Sequence, residues 1–278
     1  MPVGSIREVY ALSSVAGVGA ADPTPTDRRS LLDDPVTLLY VSTWFTRRRP
    51  VVELPRLAPR ADRAPAVRVD LHEVMPDLLP YLGQAAYLQL EQFQTLSRVA
   101  AGTSSLPAKE QVSAAAGYAL SKHQGIIAEI RRRGDDPGEV MKPFADEIEG
   151  FSALIVGSDW RETLLSALVT GGLLDDFFIR LAAGLPGDIG PRVAQLLGSE
   201  SGQEGVLEVL RGEIETDPQL ASRLAMWGRR LVGDTLLVAR SALHLSGNRA
   251  TDEERIEPIF TELIAAHTRR MDALGLTA

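Results

Sequence analysis

The sequence has 278 residues, a formal net charge of −8 and no cysteine. A chain of this length can bury a large core without cross-links, and the lack of cysteine excludes disulfides, thiolate metal ligands and a cysteine nucleophile. The negative charge argues against broad nucleic-acid binding, which depends on Lys and Arg. There is neither a run of about 18 apolar residues for a membrane span nor a secretory leader, so we expect a cytoplasmic protein.

Residues 1–70 form a segment rich in proline and arginine, with eight of the 17 prolines of the chain. Proline removes backbone donors and biases the preceding residue away from the helix, so we predict a partly ordered, non-helical arm. The run from Val36 to Phe45 is rich in β-branched and aromatic residues, which is typical of a strand or of an extended segment docked on another surface. That surface is either the rest of this chain or a second copy, in which case the arm would join a homodimer.

Two long helices are predicted after Pro76, because apolar residues recur there at spacings of three and four. The first spans about 77–100, and the second begins near Pro107 and ends before Gly134. The inward face of the first consists of Leu82, Ala86, Gln89, Phe93 and Leu96. The inward face of the second consists of Val112, Ala116, Ala119, His123, Ile126 and Ile130.

A short amphipathic piece around Met141 and Phe144 precedes the third long helix. That helix is predicted to open at Asp159, with Glu162 placed for a capping box, and to run to about residue 183. A fourth helical pattern covers 191–216, but glycine and serine cluster between 198 and 205. Each glycine weakens a helix by up to about 1 kcal/mol, so we predict a kink or a break there.

Two further helices complete the pattern. The fifth begins at Asp217 and Pro218 and ends before Gly247, and the last opens with Thr251 and Glu254 as a second capping box. The residues predicted to point inward from the last helix are Ile256, Phe260, Leu263, His267 and Met271. The sequence therefore predicts an all-α fold: a helical bundle over residues 71–278, with extra C-terminal helices, joined to the arm over 1–70.

Polar residues that interrupt the apolar stripes are the candidates for a functional site. They are Gln89, His123, Asp175, Asp176, Glu200, Gln203, Glu204 and His267. Bundle enzymes with two iron ions use one Glu from each of two helices and a Glu-x-x-His from each of the other two. Leu120 stands three residues before His123, and no other histidine completes a Glu-x-x-His either. We therefore assign no metal ligand.

Each candidate also has an ordinary structural interpretation. His123 and His267 fit core histidines with satisfied hydrogen bonds. Asp175 and Asp176 fit a polar helix edge or the partners of a nearby arginine. Gln89 fits a buried amide hydrogen-bonded to His123 better than it fits a metal ligand, because a neutral amide brings no negative charge.

Two stretches, Arg223–Asp234 and His267–Leu276, resemble a ferritin-like family. That family is similar to the tRNA hydroxylase that acts on 2-methylthio-N6-isopentenyladenosine. The resemblance covers about residues 75–277 and implies a ferritin-like bundle whose ancestral site held two irons. It also implies that the former ligand positions fall on Gln89, Leu120, His123, Gly171, Asp176, Ser199 and Gly202. Only His123 and Asp176 among these could still bind metal.

Three functions remain open from the sequence. The first is a non-catalytic ferritin-like protein that has lost its di-iron site, binds a protein or a small molecule and holds no cofactor. The second is an iron- and oxygen-dependent hydroxylase acting on tRNA or a small molecule, with His123, Asp176 and either Glu204 or Glu200 as a reduced metal site. The third is a metal-free enzyme that uses the old cavity with His123 as general base.

Overall fold

The computed structural model describes residues 74–245 and 249–277. The arm predicted for residues 1–70, including Val36–Phe45, lies outside the described residues. Every described residue belongs to one compact unit, 67–278. The two ends of the first described range, 74–245, are joined, because the backbone N–H of His244 donates to the carbonyl of Val74 at 2.8 Å and Val74 is fully buried.

Helices α1 (Leu78–Gly102) and α2 (Leu106–Arg132) form a long antiparallel hairpin. Ser105 caps α2 by accepting from the N–H of Ala108, and Pro107 occupies the first turn, where a missing N–H costs nothing. The hydroxyl of Tyr81 on α1 donates to the carbonyl of Phe178 at 2.7 Å. The helix pair predicted at 77–100 and 107–133 is confirmed to within two residues.

Short elements connect the hairpin to the centre of the bundle. They are α3 (Pro137–Met141), a 3₁₀ turn (Lys142–Phe144) and α4 (Ala145–Leu154), and all three contact α1. The close approach of α3 depends on Gly83, because a Cβ there would lie 2.3 Å from the carbonyl oxygen of Val140.

Helix α5 (Trp160–Ala182) is the central helix, with 14 of its 23 residues buried. A helix that is apolar on most of its circumference is buried by neighbours on several sides, and α5 contacts helices both before and after it in the chain. Asp159 caps it by accepting from the N–H groups of Arg161 and Glu162. The predicted capping box is modified, since the Glu162 carboxylate accepts from the N–H and hydroxyl of Ser158 instead of from Asp159.

The predicted break in the fourth pattern is confirmed. The segment forms two helices, α6 (Ile189–Leu197) and α7 (Gln203–Thr216), separated by the loop 198–202. Gly202 has a φ of +69°, which an L-residue with a side chain rarely adopts. A Cβ at Gly202 would also lie 2.8 Å from the Cα of Ala115 on α2. Glycine is therefore required there by conformation and by space.

Helices α8 (Pro218–Ser241) and α9 (Arg249–Asp272) complete the bundle. The indole N–H of Trp227 on α8 donates to Ser166 on α5 at 2.8 Å, and Gly228 lets the Met271 side chain of α9 approach the α8 backbone. The predicted capping box at Thr251 is wrong, because α9 already begins at Arg249 and Thr251 lies within its first turn. Four of the five predicted inward residues of α9 are fully buried, and Phe260 is partly buried.

The predicted all-α bundle is confirmed, and no strand occurs in residues 74–245 and 249–277. Within that same part of the chain, none of the helices combines the length and the apolar character needed to span a bilayer.

Candidate functional site

A cavity of about 190 Å³ lies between α1, α2, α5 and the C-terminal part of α9, beside the loop 198–202. Apart from small and apolar residues, its wall carries polar side chains from all four helices. These are Gln89 and Gln92 from α1, Lys122 from α2, Asp175 and Asp176 from α5, and Arg270 from α9. Gln203 at the start of α7, also a candidate from the sequence, lines the same cavity.

The first polar group of the cavity is centred on Asp175. The Lys122 Nζ donates to Asp175 Oδ2 at 2.7 Å, and the Gln89 Nε2 donates to Asp175 Oδ1 at 2.6 Å. The side chain of Lys122 is 3% exposed and that of Asp175 is 17% exposed. Breaking a buried ion pair of this kind leaves an uncompensated charge, so the two partners depend on each other.

The second polar group joins α5 to α9. The Arg270 Nη2 donates to Asp176 Oδ2 at 2.6 Å and to the carbonyl of Gly172 at 2.9 Å. The Nε and Nη1 atoms of Arg270 are buried and have no acceptor among the described residues. A Cβ at Gly172 would lie 2.5 Å from Arg270 Nε, so the guanidinium occupies space that only glycine leaves.

Burial raises the pKa of Asp175 above its ordinary value, with a smaller contribution from Asp176, while Lys122 and Gln89 oppose the rise. Burial also raises the pKa of Tyr81, reinforced by the negative charge of Asp175, so Tyr81 remains a neutral hydrogen-bond donor to Phe178. The two carboxylates and the two cations together give the cavity wall no net charge when all four are ionised.

The positions implied by the family resemblance divide into two sets. Gln89, Gly171, Asp176 and Ser199 line the cavity. The others do not: Leu120 is half-buried elsewhere on α2, His123 faces α1, and Gly202 packs against Ala115. Lys122, next to His123, is the polar residue of α2 on the cavity wall, where it lies with Ala115 and Ala119 of the same helix.

Two of the ordinary interpretations are wrong in detail. Gln89 does not bond to His123, because its amide donates to Asp175 while His123 Nδ1 lies 2.8 Å from the carbonyl oxygen of Ala86. His267 is buried but its two ring nitrogens have no partner in the described part of the chain. By contrast, His123 is a core histidine with a hydrogen bond, and Asp176 has the predicted arginine partner, Arg270.

The two acids considered as substitute ligands lie outside the cavity wall. Glu200 is exposed, and its Oε1 accepts from the N–H groups of Ser201 and Gly202. The side chain of Glu204 is 72% exposed and pairs with Arg211 at 3.0 Å. Within residues 74–245 and 249–277, no three His, Asp or Glu side chains are grouped as metal ligands would be.

Sequence reasoning missed Lys122 and Arg270 as residues of the site. One signal for Lys122 was present, because it follows Ala115 and Ala119 at helical spacing and is one of three lysines in the chain. Arg270 lies three residues after His267, on the inward side of α9, but nothing local distinguishes it from exposed Arg269. Its partner Asp176 is 94 residues away in the sequence, so only the tertiary structure reveals the pair.

A family model described as a ferritin-like domain of actinomycetes matches residues 71–249. No curated protein matches the chain at a significant level.

Proposed function

The chain belongs to the actinomycete ferritin-like domain family, and from that premise we propose that it is a non-catalytic member that binds a small polar molecule. On this proposal, the ancestral bundle carried the di-iron site of a tRNA-hydroxylase-like enzyme, and two ion pairs have replaced the metal. The observation that carries the proposal is the pairing of both cavity carboxylates with protein cations, Asp175 with Lys122 and Asp176 with Arg270.

The donor set of the cavity does not fit a di-iron centre. Such a centre is held by several carboxylates and two imidazoles from four helices. The cavity wall offers two carboxylates, both already engaged, and no imidazole. Lys122 and Arg270 bring two positive charges to the same space, and like charges close together in a poorly hydrated site repel strongly. In this arrangement Lys122 and Arg270 neutralise the carboxylates, as the iron ions do in di-iron bundle enzymes.

The hydroxylase alternative requires His123, Asp176 and either Glu200 or Glu204 to converge. His123 is engaged with the Ala86 carbonyl, and the two glutamates are exposed and bonded elsewhere. The general-base alternative requires His123 to face the cavity, but the residue does not line it. These contacts favour binding over catalysis.

The test is reconstitution of the full-length protein with ferrous iron under anaerobic conditions, followed by elemental analysis after desalting. We expect far less than two irons per chain and no hydroxylation of an isopentenylated tRNA. The matched variants are Asp176→Asn, which alters the cavity, and Asp188→Asn, whose side chain is 84% exposed on the surface.

Two tightly held irons that are lost in Asp176→Asn but kept in Asp188→Asn would overturn the proposal. The same result with His123→Ala would restore the hydroxylase alternative. Iron that all variants retain to the same extent would be surface-bound and would leave the cavity metal-free, as proposed.

A further inference from the structure

The cavity wall has hydrogen-bonding groups that the protein does not use. The Nζ of Lys122 carries three N–H groups, and its one acceptor among the described residues is Asp175. Arg270 has five N–H groups, of which only those on Nη2 have acceptors. On the acceptor side, Asp176 uses Oδ2 for Arg270, and its Oδ1 has no donor among the described residues. The Asp176 side chain is 33% exposed, whereas Arg270 Nε and Nη1 are buried, and buried polar groups left unpaired ordinarily have a partner that completes them.

The size of the cavity limits that partner. A dry cavity of roughly 150 Å³ holds a benzene molecule, which has six non-hydrogen atoms. The cavity here measures about 190 Å³, which is enough for a molecule of up to about eight non-hydrogen atoms by the same scale. A ligand held entirely within this space is therefore smaller than a nucleotide or a lipid.

The charges of the wall limit it further. The wall carries two cations and two carboxylates, with Lys122 on α2, Arg270 on α9 and both acids on α5. Because the wall has no net charge, a ligand with one net charge would bury that charge without compensation. A ligand with a positive and a negative end buries none, and each end faces its complement.

We infer that the cavity binds a small zwitterion of the amino-acid class, with its carboxylate on Lys122 and Arg270 and its ammonium on the carboxylates of α5. The inference rests on the proposed binding function and names the ligand class. Gln89 and Gln92 add amide groups to the same wall and suit a short polar side chain. Gly171 and Gly172 leave room for the side chains of Gln92 and Arg270 on this wall, since a Cβ at Gly171 would lie 2.5 Å from Gln92 and one at Gly172 would lie 2.5 Å from Arg270.

The experiment measures the melting temperature of the full-length protein against each of the twenty L-amino acids at about 10 mM, a concentration that detects millimolar affinity. The best amino acid is then titrated against its amide, which lacks the carboxylate, and its hydroxy acid, which lacks the ammonium. For serine these are serinamide and glycerate. We expect saturable stabilisation by at least one amino acid of up to about eight non-hydrogen atoms and at least tenfold weaker binding of both analogues.

Variants locate the site. Arg270→Met and Asp176→Asn should each weaken binding at least tenfold, whereas the exposed neighbours Arg269→Met and Asp272→Asn should leave it unchanged. The double variant Arg270→Met with Asp176→Asn removes the pair without leaving a lone charge, and its dichroism and melting temperature check that the bundle is intact. The analogue series uses the unaltered protein and does not depend on any variant folding.

The inference is overturned if no amino acid stabilises the protein saturably. It is also overturned if the amide or the hydroxy acid binds as tightly as the amino acid, or if Arg270→Met and Asp176→Asn bind normally. These failures would leave the iron measurement unaffected, so a metal-free protein without amino-acid binding would refute the ligand class alone. A protein with two irons in the cavity would refute the proposed function itself.

Discussion

At the scale of single residues, the cavity is held by one carboxylate that receives two donors from different helices. Asp175 on α5 binds Lys122 of α2 and Gln89 of α1. Because the Lys122 side chain is almost entirely buried, removing the carboxylate would leave its ammonium buried without an opposite charge. These contacts therefore hold three helices together. Removing either Lys122 or Asp175 alone would leave the other as an unpaired buried charge that destabilises the fold.

We expect Lys122→Met to lower the free energy of unfolding by about 3 kcal/mol, because it leaves the Asp175 carboxylate buried without its cation. The double variant Lys122→Met with Asp175→Asn should recover most of that loss, since no unpaired charge remains. Urea denaturation of the two single variants and the double variant gives the coupling energy directly. Equal losses in Lys122→Met and in the exposed Lys142→Met would show that the buried pair contributes nothing specific.

His267 is a second residue whose surroundings set a measurable property. It is 3% exposed, and burial, followed by the charge of Arg270, lowers its pKa below 6.5. The folded state thus holds the neutral imidazole, and the stability this contributes is present above pH 6.5 and is lost as the pH falls through the lowered pKa.

When the pH is lowered from about 7.5 to about 5, the free energy of unfolding should fall less in His267→Leu than in the unaltered protein, because the variant lacks the group that takes up a proton on unfolding. At neutral pH the variant should be more stable by about 1 kcal/mol, because two buried nitrogens without partners are replaced by carbon. Thermal or urea unfolding at the two pH values measures both effects, with the exposed His244→Leu as control. A variant with the unaltered pH dependence would show that His267 does not titrate on unfolding.

At the scale of elements, the helices were predictable because their signals are local. The signals at the loop 103–105 before Pro107, at the caps Asp159 and Asp217, and at the glycine cluster after Leu197 all act within a few residues. Where the local signal was ambiguous the prediction failed, as at Thr251, since a capping residue inside a helix looks the same in sequence as one at its start.

The loop 198–202 allows a direct test of a packing requirement. Gly187 and Gly202 both have a left-handed φ, of +64° and +69°. A Cβ at Gly187 would meet nothing within 4 Å, whereas one at Gly202 would meet the α2 backbone at Ala115. We expect Gly187→Ala to cost about 1 kcal/mol, from backbone strain alone. Gly202→Ala should cost about 3 kcal/mol, because α7 must also move away from α2. Equal losses in urea denaturation would contradict the close approach.

At the scale of the whole molecule, the sequence predicted the bundle but only part of the cavity. The helical period reports which face of each helix is buried, so the identity of the core followed from the pattern. The cavity depends on which buried faces meet, and Lys122, Asp175 and Arg270 come from three helices distant in the chain. The family resemblance pointed to Gln89, Gly171, Asp176 and Ser199, which line the cavity. Lys122 is not at a ligand position of that family's pattern, so the resemblance could not identify it.

The remaining prediction concerns the arm. The family match begins at residue 71 and the described core begins at the fully buried Val74, so we expect a chain that starts at residue 71 to fold. Its far-ultraviolet dichroism should show higher helicity per residue than the full-length protein, because the removed prolines are poor helix formers. If the arm joins two copies through Val36–Phe45, light scattering should give a dimer for the full-length protein and a monomer for the shortened one. Aggregation of the shortened chain would show that the arm is part of the folded core. Dimers of both the full-length and the shortened protein would show that the interface lies on the bundle.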